Sequence, residues 1–527
     1  GTTGVLTGSS YSVSNATGTT TISAILGGSG DLTKTGAGTV VLSNNNTYTG
    51  ATTISAGTLM LTGKLSNNAN IVMSGTSVWD LQSTQTVATL TMGSENTVIN
   101  SSGVVGSSSL SVTGFALVGN VTTYGAQTYN GTVQLAGGNV DCSAVRGAAC
   151  QSPISGTPYM RGGVITPTLL TSNGGDITFN GTVDAGSNSA LYKRSLTIEA
   201  GLGRVTFNQN IGVKGTIYGT LSGYVVEVSD GNIYRLLVRA KNISINADII
   251  TYEKQTYQGH VWIGGSTLTR LLLSEDPSIV FDSYTVGGVT YGGVDDETPN
   301  THTLVVKAIW IDTHAIEATQ DVLLDRAVVT EDLTNAPVIT LKTPIGGDKP
   351  LFSLTAETGV QLASAGKNFT DTSANASQYA GTINIMANVS TASTQIYTAN
   401  NFTLGGSTSV TNNNIVFTTN HADITFNIGL APPAFTFNSG TSIVTFTLGG
   451  SNINAAAVSA MNGAGIHPQG LFDLKSINFA GSLKSAHTRD KAQIDAQEKS
   501  TGPAAEIEVG GFEKLDCDPG ANNASCN

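Results

Sequence analysis

Residues able to do chemistry are sparse in this chain of 527, where only 11% are charged. The densest acidic cluster is Asp295-Asp296-Glu297. Such a set could bind Ca²⁺ or serve as the carboxylates of a β-helical polysaccharide lyase. Calcium takes roughly six to eight oxygens converging from several segments. One tripeptide supplies too few, so the cluster reads as a solvated loop tip beside Pro299. A second group, Asp312, His314, Glu317, Asp321 and Asp325, follows Trp310. Asp312 and His314 would share one strand face and could exchange protons. No nucleophile or third converging group accompanies them, so they read as an outward strand face with Ile309, Ile311 and Val322 inside. The histidines His260, His302, His314, His421, His467 and His487 lack metal-ligand spacing and read as surface residues. No catalytic, cofactor-binding or metal site is expected.

Four cysteines fall into two local pairs, Cys142 with Cys150 and Cys517 with Cys526. Even number and close spacing favour two disulfides, each pinning a small loop, as expected of an oxidising compartment. Zinc is the rival, but neither pair has Cys-x-x-Cys spacing or a neighbouring His. Lys193, Arg194, Arg204, Arg235, Arg239 and Lys241 make the middle of the chain locally basic. They could hold acidic glycans, or equally balance charge on outward strand positions. Tyr257 and Trp262 could stack on sugars, but an interior ladder accounts for them better. Asn-x-Ser/Thr triplets at Asn15, Asn45, Asn130, Asn180, Asn242 and Asn368 are those expected by chance in an Asn/Thr-rich sequence.

The elements that must position these groups are short. Gly numbers 63, apolar residues make up 39% and aromatic residues 6%. Runs such as Thr39-Val40-Val41-Leu42, Thr52-Thr53-Ile54 and Thr58-Leu59-Met60-Leu61 alternate with Gly36-Ala37-Gly38, Asn44-Asn45-Asn46 and Ala56-Gly57. Strands this short do not stand alone as a sheet. They fit the rungs of a coil stacked on its neighbours. A phrase recurs in which Thr and an aromatic precede Asn, Gln or Gly. It appears as Thr128-Tyr129-Asn130-Gly131, Thr178-Phe179-Asn180-Gly181, Thr206-Phe207-Asn208 and Thr256-Tyr257-Gln258-Gly259. Alternation sends the aromatic to one face, and Asn or Gly makes the corner. Stacked coils should therefore pile Tyr48, Tyr129, Phe179 and Tyr257 into ladders. At about 20–25 residues per coil and about 4.8 Å per step, a rod of order 100 Å is expected. The phrase recurs at irregular intervals, which fits loops inserted at the corners. Four zones follow: 1–140 rich in repeat, 141–350 with insertions, 351–480 returning to Thr/Asn/Phe strands, and a polar cap or tail at 481–527.

Residues 27–61 closely resemble the passenger-associated repeat of autotransporter-type secreted proteins. The segments GGDITFNGTVDAG (174–186), SLTIEAGLGRVTFNQNIG (195–212) and LLVRAKNISINADIITYEKQTYQGHVWIGG (236–265) resemble the shaft of filamentous-haemagglutinin-like bacterial exoproteins. The resemblance implies an all-β, right-handed parallel β-helix acting in attachment, aggregation or matrix building, at the cell surface or outside the cell. Expected partners are further copies of the chain, stacked head to tail or laterally, and host or matrix glycans or proteins. An adhesin shaft or surface-filament subunit, without enzymatic activity, is the leading expectation. A β-helical polysaccharide lyase or hydrolase is the alternative. The net charge of −12 and pI near 4.9 leave no field for nucleic acid. No run approaches the ~20 apolar residues of a membrane helix, so no membrane insertion is expected. The opening Gly1-Thr2-Thr3-Gly4 already reads as repeat.

Overall fold

A computed structural model describes residues 4–136, 140–141, 164–165, 167–186, 194–212, 233–274, 278–312, 337–362, 381–399, 401–404, 415–419, 422, 424–428, 434–437 and 444–448. Every named element is a β-strand, and nearly all pairings are parallel. The chain is a parallel β-helix. One column of partners runs without a break from Tyr11 through Leu32, Thr52 and Ile71 to Ala356, Tyr397 and Phe426. Hydrogen-bonding partners in the first coils lie 20 residues apart, as in Asp31 with Ala51 and Leu65 with Gln85. Later coils carry insertions, and the separation reaches 50 between Asn130 and Asn180 and between Thr303 and Ser353. Strand spacing of about 4.8 Å along this column makes a rod of about 70 Å. That length is of the order expected from the sequence, measured over the described column alone.

Alternation dictates the core. Gln255–Ile263 reads buried and half-buried at every second position along its whole length. Each inward residue lands on its counterpart in the coil below. Tyr129, Phe179 and Phe207 therefore stack at 5.3 and 5.5 Å with planes within 12°. Such pairs add about 0.5–1.5 kcal/mol each beyond their burial. Tyr257 stacks on Phe281 at 5.4 Å in a different column, which also holds Val238. Tyr48 packs at a tilt on Tyr11, and its hydroxyl pairs with Thr52 Oγ1 at 2.6 Å.

Corners use what the strands cannot. Gly36 has φ 76°, and a Cβ there would lie 2.3 Å from the Asn15 carbonyl oxygen. Gly57, φ 65°, stacks in turn on Gly36. Between them, buried Lys34 donates to the carbonyls of Thr35, Gly36 and Ala56 at 2.7–3.0 Å, closing carbonyls that the corner leaves unpaired. On another edge Asn180 donates to Asn130, Asn208 to Asn180 and Asn246 to Asn208, all at 2.7–2.8 Å. The Asn of the recurring phrase thus forms an amide ladder along the axis.

Candidate functional site

The acidic cluster is not a loop tip. Gly293–Asp296 is a strand laid in register on Gln255–Ile263, pairing His260 with Gly293, Trp262 with Asp295 and Ile263 with Asp296. That register sends Asp296 inward, into the column of Phe207, Ile245 and Ile263. Asp296 is fully buried and Asp295 nearly so, while Glu297 alone is exposed. The chain turns at Asn300, whose φ is 62°, and returns its own donors to the carboxylate. Asp296 accepts from the N–H groups of Thr298, Thr301 and His302 at 3.0, 2.8 and 2.7 Å, and from His302 Nδ1 at 2.6 Å. His302 Nε2 lies 3.1 Å from the Gly265 carbonyl. Both ring nitrogens of His302 therefore face oxygen acceptors of the same corner. His302 is therefore a buried residue and not a surface one. Arg270, 1% exposed, closes the same corner through Gly264 and Thr269 carbonyls at 2.5 and 2.8 Å and the Thr267 hydroxyl. Buried polar groups persist when hydrogen bonds satisfy them, and Asp296, His302 and Arg270 are held in this way. Their chemistry is to fasten coils.

Asp295 faces outward beneath His260, which is itself mostly covered. Its Oδ1 accepts from the N–H groups of Asp348 and Lys349 at 3.1 and 3.0 Å. His260 Nε2 stands 2.8 Å from Oδ2. Burial pulls the Asp295 carboxyl upward; His260 and the two backbone donors outweigh it and hold the group below the usual carboxylate range. His260 stacks on Trp262 at 4.4 Å, Lys349 Nζ lies 5.2 Å over the indole, and the indole N–H donates to Asn242 at 3.1 Å. Trp262 is thus an outward, half-buried side chain and not part of the interior ladder, whereas Tyr257 is fully inside.

One constellation went unread in the sequence. Val121, Thr123, Gln127 and Tyr129 repeat as Ile249, Thr251, Gln255, Tyr257 and as Val389, Thr391, Gln395, Tyr397. In each, the buried Gln Nε2 donates to the first residue's carbonyl at 3.3–3.4 Å, to the Thr hydroxyl at 3.2 Å and to a carbonyl of the next coil at 2.7–2.8 Å. Gln Oε1 accepts from the Tyr hydroxyl at 2.8–3.0 Å. The signal was available as a shared spacing, [Val/Ile]-x-Thr-x-x-x-Gln-x-Tyr.

The remaining candidates separate cleanly. Arg235 pairs with Glu253 and Arg239 with Glu199, so those two balance charge; Arg204 and Lys241 have no such partner among the described residues. Asp312 ends the strand Thr303–Asp312, opposite Leu362. His314, Glu317, Asp321, Asp325, His421, His467, His487 and all four cysteines lie outside the described residues. Among the described residues no group of three or more His, Cys, Asp or Glu could hold a metal ion, and no helix is long and apolar enough to cross a membrane.

Residues 32–61 match the family described as the passenger-associated-transport-repeat. No curated protein and no solved structure matches the chain. The matched segment includes Lys34, Gly36, Tyr48 and Gly57, the residues that form the corner and core of the early coils. The match supports an autotransporter passenger-type protein that is secreted or exposed at the cell surface.

Proposed function

We propose that the chain is an adhesin shaft or surface-filament subunit, of the filamentous-haemagglutinin-like kind, that acts through its surface without enzymatic activity. The observation that carries this reading is the unbroken column of partners from Tyr11 to Phe426 over one continuous apolar cluster. An object of this kind sets distance and displays loops. The buried polar residues support the same reading, since Lys34, Gln127, Gln255, Gln395 and Asp296 spend their hydrogen-bonding capacity on neighbouring turns and coils. In this reading copies of the chain associate end to end or side by side, and host or matrix glycans or proteins are its targets.

Negative-stain micrographs of the purified chain over a concentration series test the filament role. Rods that lengthen or bundle with concentration are expected, and monodisperse short rods at every concentration would remove self-association. Surface display on a non-adherent bacterium tests attachment, and unchanged adherence to cells and matrix would remove the adhesin role. Cleavage of any polysaccharide in a broad panel, abolished by Asp295→Asn or Asp312→Asn, would replace this reading with the lyase or hydrolase alternative.

A further inference from the structure

Several basic residues on the outside of the middle coils can be told apart by their partners. Arg235, Arg239, Lys307 and Lys342 each meet a carboxylate: Glu253, Glu199, Glu357 and Asp282 respectively. Arg204, Lys241 and Lys349 meet none among the described residues. These three are neighbours. Arg204 is in register with Asn242, and Asn242 with His260. The Arg204 Nη1 donates to Ser244 Oγ at 2.9 Å, and Ser244 lies beside Trp262, over which Lys349 sits. Lys241 Nζ rests 5.3 Å over the Tyr291 ring, close to Gly293, the register partner of His260. Aromatic rings, a hydroxyl and, for Lys349, the Glu297 carbonyl at 3.2 Å hold the three cations in place where carboxylates would otherwise do so. Glu297 and Asp348 are exposed at the Lys349 end and set one border of the patch; exposed Asp176, which accepts from the Arg204 backbone N–H at 2.8 Å, sets the other. Asp295, in the middle, is buried and turned to His260.

We infer that this patch binds an acidic polysaccharide carrying carboxylates, laid along the coil axis. From the Arg204 strand to the Gly293 strand is three spacings, about 14 Å. Cations placed along that line, with the half-buried amide of Asn242 between them, suit a chain that presents hydroxyls with periodic negative charge. Charge-assisted contacts to carboxylates are the strong kind. Nucleic acid fits less well: the chain carries −12 overall, and three cations cannot offset that field along a phosphate backbone.

The test is binding of the full chain to polygalacturonate at low salt, beside neutral dextran and a short DNA duplex. Arg204→Gln, Lys241→Gln and Lys349→Gln together should weaken polygalacturonate binding by at least roughly tenfold, the loss of one charge-assisted contact. Arg239→Gln, whose cation is already matched by Glu199, should leave it within a factor of about two. Lys241→Arg with Lys349→Arg should retain binding, which keeps the test valid if the triple variant folds poorly. No binding by the unaltered chain, equal binding by the triple variant, or equally tight DNA binding with the same losses would each overturn the inference. Rods that bind no polyanion would remove this patch and leave the shaft reading standing.

Discussion

Gln255→Leu should weaken one coil junction far more than its neighbours. The side chain is fully buried and joins four groups. Its Nε2 donates to the Leu273 carbonyl of the next coil at 2.7 Å and, at longer range, to Thr251 and Ile249; its Oε1 accepts from Tyr257 at 2.8 Å. Leucine keeps the volume but leaves the Tyr257 hydroxyl without an acceptor in a site where that residue is fully buried. A buried hydroxyl stranded in this way costs about 1–3 kcal/mol, and the short bond to the next coil about 1 more. Leucine's apolar gain returns part of this, so a net loss of about 2–3 kcal/mol is expected. Repeat arrays need not unfold as one unit, so a global midpoint is the wrong readout. Native-state hydrogen exchange is the right one. Amides of Gln255–Ile263 and Thr269–Ser274 should lose protection by about 30- to 150-fold, the same energy at 1.36 kcal/mol per decade. Amides around Gln127 should not change. A double-mutant cycle with Tyr257→Phe should show coupling above ~0.5 kcal/mol, since both changes break one bond. Additive effects, or protection lost evenly along the rod, would refute the assignment of Gln255 as a local tie.

Other outcomes follow from the same geometry. His302→Phe leaves the buried Asp296 side chain without its ring partner; a loss of about 3–5 kcal/mol is expected in denaturant unfolding, reduced when Asp296→Leu is added. The depressed Asp295 carboxyl makes stability depend on acid: its contribution is complete above the unfolded value of about 3.9 and disappears as pH falls through the lower folded value. The stability difference between the unaltered chain and Asp295→Asn, measured from pH 6 to pH 2, should therefore vanish only at the acid end. Gly36→Ala places a methyl 2.3 Å from the Asn15 carbonyl at a left-handed φ, so the first coils should lose more than about 1 kcal/mol by hydrogen exchange, with later coils unaffected.

The sequence by itself determined the architecture. Short β-branched runs closed by Gly or Asn leave few folds other than stacked coils, and Thr-aromatic-Asn specifies both an interior ring and a corner amide. Tyr129, Phe179 and Phe207 stack as that phrase requires, and Asn130, Asn180 and Asn208 form the ladder beside them. The match at 32–61 lies inside the stretch whose residues first suggested it. What could not be read was the fate of the polar residues. In GGVDDETPN, the Gly, Asp and Pro content signals a turn, yet Gly293–Asp296 within it is a rung. Burial in a solenoid is set by the coil beneath, and the coil beneath Asp296 presents Ile263. His302 reaches Asp296 only because the backbone reverses at Asn300, and His260 reaches Asp295 only through register across intervening sequence. Whether a cation is matched was equally a tertiary matter: Arg239 finds Glu199 on the adjacent strand, while Arg204, a few residues from Glu199 in sequence, finds a serine. Local pattern fixes the period and the inward face; register between coils, which no single strand encodes, decides which charges meet.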